Sequence, residues 1–348
     1  MVPNSELHPQ REYQVLEALR ALYGEVLDDA ARPLFGRLGW FEMLYAHCFA
    51  GQPLVIGQAE EGESAAILPL VARDGHLEAL ANYYSFSFAP IFVQANDEAV
   101  RLRLLTRIAR DLRREHGRIT LFPLFEEDEG TASLVTEAFR AAGWVTTRRA
   151  MAHNHILNVG GQDFASYWAE RPSPLRNSVK RKAKKLAHSI DVHHAVTDAL
   201  WEDYCTIYAA SWKGAESHPA LLRDLAEDAA RRGALRLAFL RVDGTAVATH
   251  FWTIEGDVAL IHKLAHDKAY DAASPGTILA HHMFRLALDE DRVRLIDYGT
   301  GDNGYKRDWM DGSRIMWRID CFNPRRPAQW LALGKSLISA LVRRCNTG

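Results

Sequence analysis

Apolar residues recur every three or four positions in some stretches of the chain and every second position in others, which predicts a mixture of helices and strands. In residues 1–150 the helical period occurs in four stretches: 11–31, 38–48, 98–115 and 131–142. Short apolar runs bounded by turn residues predict strands over 54–59, 65–71 and 119–123. This order of elements predicts one α/β domain over residues 1–150.

Residues 151–348 repeat the mixed pattern and predict a second α/β domain. Its predicted strands are 153–159, 190–195, 235–241, 246–254, 258–265, 293–298 and 313–322. Its predicted helices are 164–169, 175–188, 199–212, 220–232, 275–289 and 328–344. Asp243-Gly244 and Glu255-Gly256-Asp257 separate consecutive strands and are typical of hairpin turns. The predicted fold class is therefore α/β, with mixed sheets flanked by helices in two domains.

Composition narrows the function classes. A formal net charge of -2 argues against a general nucleic-acid binder, so we expect no DNA partner. The four cysteines are scattered, and neither they nor the histidine pairs have metal-ligand spacing, so no metal site is predicted. The polar start of the chain and the lack of an apolar run of about 18 residues predict a cytoplasmic protein.

The helix predicted from Pro275 has a start suited to anion binding. Ser274 is a good N-cap, Pro275 suits the first helical position, and Gly276 leaves the first turn without a side chain. Such a start presents backbone N–H groups and the positive end of the helix dipole, which can bind the phosphates of a nucleotide cofactor. Ser274, Gly276 and Thr277 are therefore candidate cofactor contacts, although the same residues also suit a plain helix cap.

Four residues are candidates for a reaction centre. Asp297 ends a predicted strand, where ligands of α/β sheets tend to bind, although it is equally suited to capping the loop 299–304. Lys306 follows on a predicted helical turn. It either holds a phosphate or an acceptor substrate, or it is a solvated lysine. His250 and His262 lie on neighbouring strands, where each is either a catalytic group or a satisfied core histidine.

Strand periodicity also predicts which of these side chains share a face. His262 should share a face with Leu264 and His266, and Lys263 should point the other way, where it can pair with an acid.

The predicted helix 175–188 is strongly basic. Its inward stripe consists of four apolar residues, Leu175, Val179, Ala183 and Leu186. Arg176, Lys180 and Lys184 recur every four residues and stack on an outer face. This face is either solvated or a binding surface for CoA phosphates, tRNA, an acidic carrier protein or an anionic membrane.

Several stretches resemble one known family. They are Ala246–Trp252, His262–Asp267, Ser274–Leu279 and Ile296–Trp309, together with the basic stretch 176–186. They resemble the FemAB-related, CelD-like (cellulose-biosynthesis-type acetyltransferase) branch of the GNAT superfamily. The Asp-x-Gly-x-Gly-Asp…Tyr-Lys-x-x-Trp pattern that begins at Asp297 is the most specific part.

The resemblance implies two tandem GNAT-like domains, with an N-acyltransferase centre in the second. In such an enzyme the acceptor amine attacks a thioester directly, so no nucleophilic serine or cysteine is required. The co-substrate would be acyl-CoA or an acyl-carrier protein. Asp297 would take the proton of the amine, with His250 and His262 as the next candidates, and Lys306 would stabilise the developing oxyanion.

The acceptor and the donor both stay open at this point. A cell-envelope amine and a long-chain sphingoid base, as in GNAT-like bacterial ceramide synthases, are candidate acceptors. The aromatic stretch 83–88 and the helix 328–344, if it lies on a membrane surface, suit a lipid acceptor and a location at the inner face of the membrane. Only one glycine stands in the phosphate-loop stretch 272–276, where the superfamily pattern has two small residues, which leaves other donors open.

One alternative is a FemAB-type aminoacyl-tRNA-dependent transferase, against which the interval 190–235 predicts two ordinary helices rather than a long helical arm. The other alternative is a non-catalytic module that binds acyl-CoA or lipid.

Overall fold

The computed structural model describes residues 9–29, 31–127, 130–301 and 304–335. The chain divides into two units, one made of Met1–Ala152 with Arg314–Gly348 and the other of His153–Ser313. The division after Ala152 lies close to the predicted boundary at residue 150. The segment from Arg314 differs from the prediction, which assigned it to the second domain: it groups with the first unit.

The described residues of the first unit form four α-helices before residue 145, a short helical stretch at 330–335 and a β-sheet. The helices are α1 (Pro9–Leu27), α2 (Leu38–Leu44), α3 (Glu98–Glu115) and α4 (Thr131–Ala141). The strands are β1 (Leu54–Glu61), β2 (Ser64–Arg73), β3 (His76–Ala79), β4 (Ile91–Val93), β5 (Arg118–Leu124), the first part of β6 (Val145–Asn158) and most of β12 (Gly312–Phe322). Five strands follow the order β1-β2-β3-β5-β12, and β4 pairs with β2.

The last strand explains why the chain's end groups with the first unit. Strand β12 runs antiparallel to β5, with Phe322 opposite Arg118 and Asp320 opposite Thr120. One face of this sheet buries apolar residues such as Leu121 and Ile319. Helix α3 buries its own apolar stripe, consisting of Leu104, Leu105, Ile108, Ala109 and Leu112.

The second unit carries the remaining elements. The helices are α5 (Phe164–Glu170), α6 (Ser173–Lys185), α7 (Asp198–Ala210), α8 (Pro219–Arg231), α9 (Pro275–Arg285) and α10 (Gly304–Trp309). The strands are the end of β6 with β7 (Ser189–His193), β8 (Leu235–Val242), β9 (Thr245–Glu255), β10 (Val258–His266) and β11 (Leu295–Thr300). They follow the order β6-β11-β10-β9-β8-β7. The core beneath α9 includes Trp252, Phe284 and Trp309.

The structure confirms the predicted mixed α/β class and most of the predicted elements. Asp243 and Gly244 both have positive φ angles, 49° and 80°, as the tight turn between β8 and β9 requires. The short strand β3 is absent from the prediction. The aromatic stretch 83–88 has no regular secondary structure.

The predicted helix 275–289 is α-helical only as far as Arg285, and a π-helical turn, Leu286–Glu290, follows. Of the predicted helix 328–344, residues 330–335 are helical and those after 335 lie outside the described residues. None of the helices in the described part of the chain is both long enough and apolar enough to cross a bilayer.

Candidate active site

An opening forms where β10 and β11 stop pairing. The two parallel strands pair at three positions, the last of which joins Leu260 and Asp297. Strand β10 then continues to His266 and β11 to Thr300. Strand β10 also has a bulge between Ile261 and Lys263 in its pairing with β9. Backbone groups at the ends of both strands are therefore released from the ladder between them, which places polar main-chain atoms around an opening.

Helix α9 begins beside this opening, with a start that differs from the prediction. Ser274 has φ 51° and ψ 52°, and its side chain makes no capping hydrogen bond. A side-chain N-cap needs an extended backbone, so the left-handed conformation turns the hydroxyl away from the helix. The Ser274 carbonyl instead accepts hydrogen bonds from the N–H groups of Thr277 (3.1 Å) and Ile278 (3.2 Å).

Gly276 allows the first turn of α9 to lie close to His266 of β10. A Cβ atom at this position would lie 3.1 Å from Nδ1 of His266, which is tighter than most side-chain contacts allow. His266 in turn bonds Asp271 through Nε2 at 2.8 Å. The absence of a side chain at Gly276 therefore lets the first turn of α9 pack directly against the end of β10.

Thr277 connects α9 to α10. Burial raises the pKa of Tyr305, and hydrogen bonds with the side chains of Tyr298 and Thr277 act in the opposite direction. The aromatic rings of Tyr298 and Tyr305 meet edge to face, with centroids 6.4 Å apart. The predicted cofactor contact Thr277 is thus joined to the predicted site segment at the end of β11.

Asp297 is almost completely buried, with 2% of its surface exposed. Its Oδ1 accepts hydrogen bonds from Nδ2 of Asn154 (2.9 Å) and from the backbone N–H of Gly299 (2.8 Å). The second of these bonds is the loop-capping contact that the sequence offered as the alternative role. Residues 302 and 303 of that loop lie outside the described residues, and the catalytic role of Asp297 stays a prediction.

Lys306 is buried rather than solvated. Its Nζ donates to the carbonyl oxygens of Tyr298 (2.9 Å), Gly299 (3.3 Å) and Thr300 (2.7 Å), so it holds together the end of β11. Burial lowers the pKa of Lys306 to about 8, against which the nearby Asp297 charge acts. The ammonium therefore lies at the opening with its protons directed at backbone carbonyls.

The two candidate histidines lie on opposite faces of the sheet. His250 is 1% exposed and accepts a hydrogen bond from Nε1 of Trp252 at 3.1 Å. Burial and, to a smaller extent, the charge of Lys213 lower the pKa of His250 to about 3, so its ring is neutral at neutral pH. The backbone of Gly276 opposes this shift, which places His250 beside the start of α9.

The bulge in β10 overturns the predicted orientation of His262. Its Nε2 lies 2.9 Å from Oγ1 of Thr253, and its ring packs on Phe251 at 5.1 Å. Thr253 and Phe251 alternate with His250 along β9 and so lie on the other face. The extra residue of the bulge breaks the two-residue period, so His262 does not share a face with Leu264.

Two lysines and an acid next to the opening are missing from the predicted site. Nζ of Lys213, in the loop after α7, donates to the carbonyl oxygen of Leu264 in β10 at 2.7 Å. Burial and, to a smaller extent, the charges of Lys263 and Lys306 lower the pKa of Lys213 to about 8. Lys263 forms an ion pair with Glu216 at 2.7 Å, which confirms that it pairs with an acid. Lys213 has no periodic pattern around it that could have indicated its role.

Helix α6 presents a different lysine to the site from those predicted. Its predicted inward stripe is confirmed by the burial of Leu175 and Val179. Lys180 and Lys184 are exposed and Arg176 is partly buried. The side chain that reaches the start of α9 is Lys182, whose Nζ donates to Oγ of Ser274. The binding roles of Arg176, Lys180 and Lys184 stay predictions.

The described residues contain no group of three or more histidine, cysteine or acidic side chains that could hold a metal ion. The polar groups of the opening are instead the ammonium groups of Lys213 and Lys306, the carboxylate of Asp297 and backbone amides.

A family model described as "Acetyltransferase (GNAT) domain" matches residues 173–307, a span that contains α6, the opening and Lys306. No curated protein matches the sequence. The chain is similar in structure to the C-terminal domain of a protein named as a lysylphosphatidylglycerol synthetase from Agrobacterium fabrum, with a TM-score of 0.56 at 12% identity over 94% of this chain and 97% of that one.

Two further solved structures are similar over almost the whole chain. L-PGS from Bacillus licheniformis has a TM-score of 0.54 at 12% identity and covers 99% of both chains. FemX has a TM-score of 0.58 at 10% identity and covers 95% of this chain and 99% of the other. At these identities the likeness shows the fold. Together with the family match it shows an acyltransferase on the GNAT fold. The CelD-like and ceramide-synthase parts of the resemblance stay predictions.

Proposed function

We propose that this GNAT-fold acyltransferase transfers an acyl group from a thioester to a primary amine at the opening between β10 and β11. The observation that carries this proposal is the end of strand pairing at Leu260 and Asp297, with the start of α9 beside it. A direct transfer needs room for the two substrates to meet between polar backbone groups and a place for the donor's phosphates. The opening is the proposed meeting place of the two substrates, and the start of α9, in the same unit, is the proposed place for the phosphates.

The donor would bind with its phosphates at the first turn of α9. Gly276 adds no side chain to that turn, and His266 packs against it. Lys182 adds a positive charge at Ser274, on the same side as the helix start. Acyl-CoA or an acyl-carrier protein is the proposed donor, because both carry a thioester on a phosphorylated arm.

The neutral acceptor amine would add to the thioester carbonyl, forming the C–N bond; the C–S bond then breaks, and the sulfur leaves as a thiolate that takes a proton from water. Asp297 is the proposed acceptor of the amine's proton. Its bonds to Asn154 and Gly299 orient the carboxylate and are compatible with this role, since a carboxylate accepts up to about four hydrogen bonds. Lys306 would act through its charge, which favours the oxyanion that develops as the amine adds.

The test is a thiol-release assay with acyl-CoAs of different chain lengths and a panel of primary amines. Thiol release that depends on the amine supports the proposal. Thermal stabilisation by acyl-CoA without thiol release would contradict it and favour the non-catalytic binding module.

Aminoacyl transfer from charged tRNA is the second candidate. It is favoured by the similarity of fold to FemX and to a protein named as a lysylphosphatidylglycerol synthetase, which extends over more than nine tenths of this chain. Against it, the interval between β7 and β8 holds two helices of 13 residues each rather than a long arm. Transfer of labelled amino acid from charged tRNA, with no thiol release from acyl-CoA, would establish this reaction instead.

The acceptor is proposed at the level of class. A cell-envelope amine suits both donors, and a long-chain sphingoid base remains a specific prediction for the thioester reaction, as does contact with the membrane surface. Mass spectrometry of lipids from cells with and without the gene would separate the two acceptors, because only the second changes the ceramide fraction.

A further inference from the structure

Lys213 lies at the opening, but the reaction proposed above does not use it. It belongs to the loop 211–218, which joins α7 to α8, and its Nζ donates to the carbonyl oxygen of Leu264 at 2.7 Å. Leu264 follows Leu260, the last residue of β10 that pairs with β11. The ammonium therefore lies beside the part of β10 that borders the opening.

The loop 211–218 is held against β10 at a second point. Glu216 forms an ion pair with Lys263 at 2.7 Å, and the two side chains are only 7% and 12% exposed. Lys263 and Leu264 are neighbours in β10, so both contacts fix the loop along the same stretch of strand. Because the loop already holds Lys213 in place, less freedom is lost when this side chain binds a ligand.

The contacts of Lys213 are a carbonyl group and two aromatic rings. Its Nζ lies 5.7 Å from the ring centres of both Tyr208 and Trp212. An ammonium has three N–H donors, and among the described residues the Leu264 carbonyl is the one acceptor that Lys213 bonds. Lys306 differs, since it donates to three carbonyl oxygens. Lys213 therefore has donors left for a substrate.

The surroundings of Lys213 destabilise its ammonium. Burial and, to a smaller extent, the charges of Lys263 and Lys306 lower its pKa to about 8, although the charge of Glu216 acts in the opposite direction. Most of the ammonium is still protonated at neutral pH. A bound anion would stabilise this charge, because an opposite charge within a few ångströms favours the protonated form.

The loop and the start of α9 belong to different faces of the sheet. Helices α7 and α9 both pack against β9 and β10. Every residue of α7 is described, and none belongs to the core beneath α9. Since a sheet has two faces, α7 covers the face opposite α9. A donor bound at the start of α9 therefore leaves the side of the opening with Lys213 to the second substrate.

We propose that Lys213 binds an anionic group, a carboxylate or a phosphate, on the acceptor amine. The inference rests on the proposed transfer reaction, which makes one of the two substrates an amine. Charge-assisted hydrogen bonds to such a group are about twice as strong as neutral ones. Trp212 is 68% exposed, so a substrate can reach Lys213 from solvent along its ring. The acceptor class is then a cell-envelope amine with an acidic group, and a sphingoid base without one is disfavoured.

The test compares matched amines, by thiol release from acyl-CoA and by titration calorimetry. The pairs are alanine and alaninamide, phosphoethanolamine and ethanolamine, and sphinganine 1-phosphate and sphinganine. At least one anionic amine should bind about tenfold or more tightly than its partner and show a correspondingly higher kcat/KM. Lys213→Gln should abolish this preference, although glutamine keeps an N–H group for the Leu264 carbonyl. Lys213→Arg, which keeps the charge, should retain it.

Arg231→Gln is the control, because it removes a positive charge that is 69% exposed on α8 of the same unit. A purely structural role of Lys213 would reduce the turnover of both members of a pair equally, so an unchanged preference in Lys213→Gln overturns the inference. Equal binding of the matched amines by the parent protein also overturns it, and this measurement requires no variant to fold.

The two readouts separate this inference from the proposed function. If none of the amines releases thiol, but anionic amines bind in a way that depends on Lys213, the anion-binding role is supported and the thioester reaction fails. If thiol release depends on the amine but not on its anionic group, the reaction is supported and the role of Lys213 fails. A preference confined to the carboxylate pair or to the phosphate pairs supports the inference and identifies the group.

Discussion

At the scale of single residues, a substitution of Asp297 can distinguish a role in capping the loop from a role in proton transfer. Asn at this position can still accept the bond from Gly299, so a purely capping role predicts near-normal turnover in Asp297→Asn. A role as proton acceptor predicts a fall in kcat of about a hundredfold or more, with the melting temperature nearly unchanged. Turnover above half the parental rate would exclude Asp297 as the base and make His250 the next candidate.

The lowered pKa of Lys306 predicts that the protein becomes more stable as the pH rises. Burial lowers its pKa from 10.5 to about 8 in the folded protein. Between these two pH values the unfolded chain binds the proton more tightly, so the free energy of unfolding should rise with pH through this window. The rise attributable to Lys306 is at most about 3 kcal/mol, and it should be missing from Lys306→Met.

Denaturant unfolding at pH 7, 8.5 and 10 measures this contribution as the difference between the parent and Lys306→Met. Groups that titrate in the same range without interacting with Lys306 cancel in that difference, whereas Lys213, whose pKa is lowered in part by the charge of Lys306, adds to it. Equal pH slopes for the two proteins would show that the ammonium of Lys306 carries no burial penalty. Exposed Lys180→Met is the control, and its slope should match the parent.

The residues of the candidate site could be predicted from the sequence, but the side chains that contact them could not. The types and positions of Asp297 and Lys306 were sufficient to single them out, because Asp297 lies near the end of a strand and Lys306 follows the glycine-rich loop after it. Their partners were not predictable: Asn154 is 143 residues away from Asp297. Lys213 lay in a loop with no pattern, and its approach to Leu264 depends on packing between distant elements.

At the scale of elements, the start of α9 depends on its glycine. Gly276→Ala would place a methyl group about 3.1 Å from His266, so either the histidine or the first turn of the helix must shift. We expect the KM for the donor to rise several-fold with little change in kcat for a saturated enzyme. Gly36→Ala is the control, because nothing lies within 4 Å of its added carbon. An unchanged donor KM in Gly276→Ala would remove α9 from the donor site.

Helix α6 allows a matched comparison of two lysines two residues apart. Lys182 bonds Ser274 at the start of α9, whereas Lys180 is exposed. If α6 supports the donor through this contact, Lys182→Gln should raise the donor KM and reduce its dependence on salt. Lys180→Gln should resemble the parent. The reverse result would restore the outer face with Arg176 and Lys184 as the binding surface.

Elements were predictable where their signals are local. The hairpin between β8 and β9 follows from Asp243-Gly244, and α3 from its period and from Asp97, whose side chain caps it. The bulge in β10 was not predictable, because nothing in the residues 258–265 distinguishes it from a regular strand. That single irregularity places His262 on the face opposite Leu264, with which it was predicted to share a face.

At the scale of the whole molecule, the two units are not two consecutive segments of the sequence, because residues 314–348 group with the first unit. A boundary after residue 150 could be predicted from the repeated pattern of elements. The return of β12 to the first unit could not, because its pairing with β5 joins residues about 200 positions apart. Long-range strand pairing of this kind depends on side-chain packing over the whole sheet and has no local signal.

A substitution of Asp320 tests what holds β12 against β5 in the first unit. Asp320→Asn removes the charge that holds Arg118 and Arg318 while keeping the size of the side chain. Breaking a buried charge network usually costs about 3–5 kcal/mol, and the partial exposure of these arginines should reduce the loss to about 2 kcal/mol. Hydrogen exchange should report it as faster exchange in β5 and β12, with β8 and β9 of the second unit unchanged.

The ionisation of Asp320 also predicts how the stability of the first unit changes at low pH. Because the folded pKa of Asp320 is lowered from 3.8, its carboxylate stabilises the fold above that pH, and the contribution disappears as the pH falls through the folded pKa. The parent should therefore lose protection in β5 and β12 below about pH 4 more steeply than Asp320→Asn, which lacks the charge throughout. Asp111→Asn on α3 is the control, since Asp111 is 61% exposed. If Asp320→Asn exchanges like this control at neutral pH, then β12 joins the first unit through its apolar face alone, and the arginines of β5 and β12 contribute nothing to holding the chain's end in place.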